Sequence, residues 1–164
     1  MIARLPWRLA IIRPAAAVRA EYVALAVILA VAVTLRLARL AGAQMRGDDI
    51  ALWSIVVGLG EQPRILDRGL ISSLGIANGP IQAYLLLPAR LIEPLVGMIA
   101  PYIVVGVFNT LGVALLWRFA RTYHGPDVAL LSAALFAVNP WAVIFARRLW
   151  GDDLLAPVVV LLVG

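Results

Sequence analysis

The sequence predicts an all-α fold, a polytopic transmembrane helical bundle with interfacial helices in the first extracytoplasmic loop. Hydrophobic residues make up 63% of the 164 residues, and only 14% are charged. Water-soluble domains are about half apolar and about a quarter charged, so this composition argues against disorder and against an ordinary soluble fold. All 14 basic residues are Arg, and they stand at the ends of apolar runs. This placement argues against nucleic-acid binding and favours a chain placed across a membrane.

Four apolar runs are predicted to enter the membrane, over residues 20–40, 97–117, 128–146 and 154–164. About 20 apolar residues cross the core of a bilayer, and the first three runs have that length. The fourth is still apolar at its last residue and is too short to cross, at about 1.5 Å per residue. The sequence therefore indicates a piece of a longer protein, which we expect to be inactive by itself. Asn139-Pro140 is expected to kink or end the third helix.

The Arg positions predict that the N-terminal segment, residues 1–19, is cytoplasmic. This segment carries four Arg, and Arg118 and Arg121 lie between the second and third spans. Both regions share one side if the spans alternate, and the positive-inside rule assigns that side to the cytoplasm. The expectation is a multi-pass protein of the plasma (inner) membrane. Aromatic residues lie near the predicted interfaces, as such rings prefer: Trp7, Tyr22, Tyr102, Trp117, Trp141 and Trp150.

Residues 41–96 then form an outer loop that is predicted to hold two helices in the plane of the interface. Residues 50–59 and 81–92 are apolar but too short to span a bilayer, and Pro88 interrupts the second run. Residues 61–79 between them have the Gly, Pro and Ser content of turns. A long loop that returns repeatedly to the membrane usually has a function.

A short element, Gly-Asp-Asp, occurs twice, and both copies are expected at the outer edge of the bilayer. Asp48 and Asp49 precede the first interfacial helix, while Asp152 and Asp153 precede the fourth span. One interpretation is helix capping, because Asp is a preferred N-cap and suits the helix dipole. The other is a pair of carboxylates that handles a hydroxyl, a cation or a charged headgroup. Both interpretations can be true, since one Asp can cap the helix while its neighbour points into a cleft.

Arg36 and Arg148 complete the candidate site. Arg36 is near the outer end of the first span, and Arg148 is five residues before Asp153. A charge at this depth either snorkels to water or pairs with an anion. Snorkelling is favoured for Arg39 and Arg147, whereas both options stay open for Arg36 and Arg148. Arg can also hold a phosphate through two parallel hydrogen bonds.

Several catalytic classes lack the residues that they need in this sequence. There is no cysteine, and the one histidine, His124, is in a predicted cytoplasmic turn. Thiol nucleophiles, His-based triads and zinc sites are therefore excluded within these residues. Neither a phosphate loop nor a dinucleotide-binding motif is present.

The order and spacing of these residues resemble the N-terminal part of integral-membrane glycosyltransferases of the GT-C type. The likeness is greatest to the branch of dolichyl-phosphate-mannose protein mannosyltransferases and aminoarabinose transferases. Leu35-Arg36-Leu37 closes the first span as in that family, and Asp48-Asp49 follows where the family usually has Asp-Glu. Gly79-Pro80 and the apolar run after it look like the family's second interfacial helix. A later stretch is similar to the family's Pro…Arg…Asp-x-Leu-Leu pattern: Asn139-Pro140, Ala146-Arg147-Arg148 and Asp153-Leu154-Leu155.

The resemblance implies transfer of a sugar from a polyprenyl-phosphate-linked donor to an acceptor on the extracytoplasmic face, with inversion at the anomeric carbon. The resemblance implies that Asp48 is the general base and that Asp49 supports Asp48 or helps to bind a divalent cation. Arg36, Arg148 and Asp153 would bind substrate and organise the site. The implied partners are the lipid-linked donor, membrane lipids and an acceptor that the sequence does not identify, without nucleic acid.

Two other classes of protein fit the same pattern. A transporter or flippase-like carrier would place charged or broken helices near the bilayer midplane and contain related halves. A non-catalytic subunit of a membrane assembly would need the helices alone. The clustering of charge at the ends of the apolar runs, rather than in their middle, favours the transferase over the carrier.

Overall fold

The computed structural model describes residues 14–38, 40, 45–71, 75–149 and 155–163, and the regular secondary structure of these residues is helical. The described residues contain an isolated antiparallel bridge between Ile71 and Ala77 but no strand, which confirms the predicted all-α class. A turn of 3-10 helix, Gly97–Ile99, joins the fourth helix to the fifth. In chain order the α-helices are α1 (Ala15–Leu37), α2 (Gly47–Glu61), α3 (Ile81–Leu86), α4 (Ala89–Val96), α5 (Ala100–His124), α6 (Pro126–Val138), α7 (Pro140–Phe145) and α8 (Leu155–Val163).

Two helical stretches among the described residues are long and apolar enough to cross a membrane. One is α1, with 23 residues, and the other is the continuous 36-residue stretch Ala89–His124 that includes α5. At 1.5 Å per residue, α1 is about 34 Å long, which exceeds an apolar core of about 30 Å. Only 17% of the most apolar part of α1 is buried, so this helix is not the core of a soluble domain. Its exposed side chains, such as Val23, Val27 and Val31, form an apolar surface that favours contact with lipid.

The third predicted span, 128–146, is two helices rather than one. The break predicted at Asn139-Pro140 is confirmed, because α6 ends at Val138 and α7 begins at Pro140. The Asn139 side chain accepts hydrogen bonds from the backbone N–H groups of Trp141 (2.9 Å) and Ala142 (3.1 Å) and so caps α7. With 13 residues, α6 alone is about 20 Å long, which is shorter than the apolar core of a bilayer.

Small side chains let α1, α5 and α6 pack closely. Ala32 of α1, Val113 of α5, and Ala133 and Ala137 of α6 form one buried cluster. Alanine at these contacts allows the helix backbones to approach one another, as in membrane bundles. The cluster lies between the two ends of the bundle and fixes how far apart the three helices stand.

An ion pair joins the first turns of α1 to the last turns of α5. Glu21, only 4% exposed, accepts two hydrogen bonds from the Arg121 guanidinium. The guanidinium carbon is 5.4 Å from the ring centre of Trp117 and 5.9 Å from that of Tyr22, within the range of cation–π attraction. Since Glu21 is near the start of α1 and Arg121 is near the end of α5, the two helices run antiparallel.

A second core lies at the other end of the bundle, where α2, α3 and α4 pack on α5. Leu52, Trp53 and Val56 of α2 are buried against Leu86 of α3 and Val105 of α5. The segments predicted as interfacial are both helical, and the second is divided at Pro88 into α3 and α4. These helices thus pack against one another and on the part of α5 that lies away from the Glu21–Arg121 ion pair.

Replacing Ala32 by Leu tests the close packing of α1 on α6. Ala32 is 0% exposed, so a larger side chain has to push the helices apart, and we expect Ala32→Leu to lower the free energy of unfolding by about 1–3 kcal/mol. The measurement is thermal unfolding of the detergent-solubilised protein. Ala30→Leu, at an exposed position of the same helix, is the matched control and should change little. Equal stability of the two variants would contradict the packing described.

Candidate functional site

Several segments converge at the end of the bundle where α1 finishes and α5 starts. Arg147 donates a hydrogen bond from Nη2 to the carbonyl of Ala38 at 2.5 Å. Gln82 of α3 donates from Nε2 to the carbonyl of Leu149 at 2.9 Å. These contacts bring the residues after α7 against the end of α1 and against α3. This end also holds the first acidic pair, and it is the candidate functional site.

Asp49 is buried and held by two described hydrogen bonds. It is 5% exposed, and its Oδ2 accepts from the backbone N–H of Arg46 at 3.1 Å and from the Tyr102 hydroxyl at 3.2 Å. Asp49 is the third residue of α2, and its contact with the residue before the helix is one half of a capping box. Tyr102 is 2% exposed, so its hydroxyl also needs this partner. Asp49 thereby fixes the start of α2 on α5.

Asp48 has the opposite environment. It is the second residue of α2 and is exposed, and it makes no hydrogen bond or ion pair with another described residue. The two acids therefore divide the roles that capping allows: Asp49 makes the capping contact and Asp48 presents its carboxylate outward. An exposed carboxylate on a fixed helix start can receive a proton from a molecule that binds beside it.

Arg36 is buried, with 0% exposure, and its described partners are backbone carbonyl groups. Nη1 donates to the carbonyl of Ala137 at 2.9 Å and to that of Ala32 at 3.3 Å, and Nη2 donates to that of Phe136 at 3.2 Å. Its guanidinium carbon is also 5.8 Å from the centre of the Phe136 ring. The side chain thus turns inward to the end of α6, rather than outward to solvent. Among the described residues, Nε of Arg36 has no hydrogen-bond partner.

Arg36 and the Asp49–Tyr102 pair lie close to each other along α5. Tyr102 and Gly106 are four residues apart, so they share a face of α5 and are about 6 Å apart along its axis. A Cβ atom at Gly106 would be 3.7 Å from Cβ of Arg36 and 2.6 Å from Cδ2 of Leu37. The end of α1 therefore crosses α5 about one turn from Tyr102.

Arg148 lies on the segment that crosses the same end, and Asp153 lies outside the described residues, as does Asp152. Arg148 is partly exposed, and its guanidinium carbon is 5.6 Å from the centre of the Phe145 ring. The next residue, Leu149, is buried in the core formed by α2, α3 and α5. Four predicted site residues thus lie at one end of the fold: Asp48, Asp49, Arg36 and Arg148.

Within the described part of the chain, no group of three or more His, Asp or Glu residues could hold a metal ion. The sequence leaves metal dependence open and offers Asp48 and Asp49 as ligands if a divalent cation binds; the Asp49 carboxylate already accepts a hydrogen bond from Tyr102. Oxygen ligands from two adjacent carboxylates suit a hard cation that keeps several waters.

Two contributors to the site were not predicted from the sequence. Tyr102 was expected only as an aromatic residue at the interface, and Gln82 was not selected at all. The available signal was chemical: a buried Tyr hydroxyl or Gln amide on an apolar helix requires a hydrogen-bond partner. Which partner it finds depends on contacts 53 and 67 residues apart in the chain.

An apolar groove lies near the same end of the fold. It has a volume of about 550 Å³ and runs between α3, α4 and α5, with Leu85, Leu91, Ile103 and Phe108 among its lining residues. On α5 the lining begins at Ile103, next to Tyr102, and reaches Leu111, a length of about 12 Å. Tyr102 and Asp49 are not among the lining residues, which stand on another face of α5.

Comparisons with protein-family models, curated proteins and solved structures give no match for this chain. The same helical architecture can serve several functions, so any function has to be argued from the site. The site offers two carboxylates and two arginines, and an apolar groove lies near the same end of the fold.

Replacing Tyr102 by Phe tests the hydrogen bond that holds Asp49. The buried carboxylate would lose a donor, and we expect Tyr102→Phe to lower the free energy of unfolding by about 1–3 kcal/mol. Thermal unfolding in detergent measures this loss. Tyr123→Phe, at the far end of the same helix where the side chain is 54% exposed, is the control and should leave stability unchanged. Loss of equal size in both variants would show that the Asp49 contact is not its cause.

Proposed function

We propose that this chain is part of a GT-C type glycosyltransferase that moves a sugar from a polyprenyl-phosphate donor to an acceptor on the extracytoplasmic face. The observation that carries the proposal is the pairing of an exposed Asp48 with a buried, hydrogen-bonded Asp49. Arg36 and Arg148 lie at the same end of the fold. A carboxylate base and cationic groups in one region suit a displacement in which phosphate leaves.

In the proposed reaction Asp48 is the general base. The acceptor hydroxyl or amine gives its proton to the Asp48 carboxylate while its oxygen or nitrogen attacks the anomeric carbon. The bond from that carbon to the phosphate oxygen breaks, and the electron pair leaves with the lipid phosphate. One displacement inverts the anomeric configuration, because no enzyme carboxylate becomes bonded to the sugar.

The arginines have different proposed roles. Arg148 is partly exposed, and we assign it to the leaving phosphate, where a guanidinium can donate two hydrogen bonds and neutralise charge. Arg36 is a positioning residue, because both of its terminal nitrogens donate to carbonyl groups. Arg36 is 0% exposed, so we assign it to holding the end of α1 in place and not to contact with the phosphate.

The apolar groove supports a lipid-linked donor. A polyprenyl chain is a hydrocarbon, and the lining of the groove between α3, α4 and α5 is almost wholly apolar. The groove begins near the start of α5, at the end of the bundle that holds the candidate site. We propose that the end of the bundle with the candidate site lies at the outer surface of the plasma (inner) membrane. Helices α2 to α4 then lie in the interface, and residues 1–19 lie in the cytoplasm.

One observation favours a carrier as the second candidate. Carriers use broken helices whose free carbonyl groups bind cations at the substrate site, and α6 and α7 form such a broken pair. Here, however, Arg36 already occupies the carbonyls of Phe136 and Ala137. Uptake of a labelled lipid-linked sugar across proteoliposomes, without transfer to any acceptor, would favour the carrier.

The central test of the proposed function is Asp48→Asn in the protein encoded by the complete reading frame. Loss of a general base lowers kcat by about 10²–10⁴-fold, measured as sugar transfer in isolated membranes. Asp127→Asn is the matched control, because Asp127 is also an exposed second residue of its helix, at the other end of the bundle. Both variants lose a favourable charge at a helix start, so a loss of transfer confined to Asp48→Asn is the result expected for a base. Transfer by Asp48→Asn at the control rate, with normal expression, would remove Asp48 from the mechanism.

Cysteine labelling tests the proposed orientation. The chain has no cysteine, so single cysteines can be placed at Asp67 in the outer loop and at His124, the last residue of α5, both exposed. On intact cells a membrane-impermeant maleimide should label Asp67→Cys, whereas His124→Cys should react only after permeabilisation. The reverse pattern would invert the topology, and labelling of both sites on intact cells would mean that α5 does not cross the membrane.

A further inference from the structure

The linker between α2 and α3 exposes large apolar side chains. In this linker, described over residues 62–71 and 75–80, Ile65 is 95% exposed, Ile71 58% and Ile76 64%. A segment that faces only water rarely presents several isoleucines, since each exposed apolar surface costs free energy. The linker therefore has the character of an interaction surface.

Backbone hydrogen bonds hold this linker in a defined shape. Gly69 donates its N–H to the carbonyl of Asn78 at 2.7 Å, and Asn78 donates to that of Leu70 at 2.9 Å. A Cβ atom at Gly69 would be 2.6 Å from the carbonyl oxygen of Gly79, so only glycine permits this approach. The Tyr84 hydroxyl accepts a hydrogen bond from the N–H of Leu66 at 2.8 Å. The exposed isoleucines thus belong to a segment that is fixed to α3.

Basic side chains accompany the isoleucines around a groove. Residues 64–71 form one wall of a space of about 650 Å³, and Ala51 and Ile55 of α2 lie on the other side. Arg64 and Arg68 are on the same wall as Ile65 and Ile71. Asp67 lies 3.7 Å from Arg68. The described linker carries these two arginines and this one acid, so its net charge is positive. Cationic and large apolar side chains on one surface are typical of segments that rest on a bilayer.

We propose that the α2–α3 linker docks on the headgroup layer of the membrane and that its groove receives the phosphate of an anionic phospholipid. Arg64 and Arg68 would contact the phosphate, and Ile65 and Ile71 would enter the layer below it. Charge complementarity selects this occupant, because an anionic headgroup has a net negative charge that attracts the two arginines, whereas the phosphate of a neutral lipid is balanced by its own cationic group. The inference depends on the proposed membrane embedding but is independent of sugar transfer.

A fluorescent label at Ile65 tests the docking. Ile65→Cys, in a chain without other cysteines, is coupled to an environment-sensitive fluorophore, and the protein is placed in nanodiscs of phosphatidylcholine with or without phosphatidylglycerol. We expect blue-shifted, stronger emission with phosphatidylglycerol. Replacing Arg64 and Arg68 by Gln should reduce the docked-to-undocked ratio about five-fold per arginine, the equivalent of the usual attraction of one basic residue to an anionic surface.

Arg46→Gln is the matched control, because Arg46 is an exposed arginine at the same end of the fold and is not part of the groove. It should retain the response to phosphatidylglycerol. A label at Ile71→Cys repeats the measurement at a second position, in case the first label disturbs the linker. Identical emission in both lipids, or a full response from the double Arg variant, would overturn the proposal. An equal response to inorganic phosphate in phosphatidylcholine discs would also overturn it and assign the groove to free phosphate.

Discussion

The position of the candidate site depends on how Arg36 satisfies the end of a broken helix. Within an apolar surrounding every backbone carbonyl needs a donor from the protein. Pro140 has no N–H to offer to the carbonyl of Phe136, four residues earlier. The N–H of Trp141, which would reach Ala137, donates to the Asn139 side chain instead. Arg36 supplies donors to both carbonyls, so the break and the buried cation compensate each other.

This contact joins α1, α6 and α7 at one point, and the rest of the site follows from it. With the end of α1 fixed on the end of α6, the next residue, Leu37, lies against Gly106 of α5. One turn away on α5, Tyr102 holds Asp49 and thereby the start of α2. Hydrogen bonds that involve a charged partner contribute about 1.5–3 kcal/mol each when buried. Asp48 is therefore presented by a scaffold whose polar contacts extend from α6 to α2.

The class of fold could be predicted from the sequence because it depends on composition and on local chemistry. Apolar runs predict helices wherever they occur, and Asn139-Pro140 predicts a break from the properties of proline itself. The partner of Arg36 could not be predicted, because it lies about a hundred residues away and depends on which helix packs beside α1. The Gly-Asp-Asp pattern predicted that one acid could cap, but not which one. Asp49 takes that role because, as the third residue of α2, it can reach back to the N–H of Arg46.

The proposed chemistry gives a reason for the different burial of the two neighbouring acids. A general base must be reached by its acceptor, and a fully buried carboxylate bonded to Tyr102 has no room for one. An exposed carboxylate on a loose segment would be accessible but would lose the alignment on which proton transfer depends. Asp48 has both properties because its neighbour anchors the helix start. A donor with an apolar chain and a charged head needs that base where hydrocarbon and polar surfaces meet, and α2 starts at the end of the bundle where α3 and α4 form the apolar groove with α5.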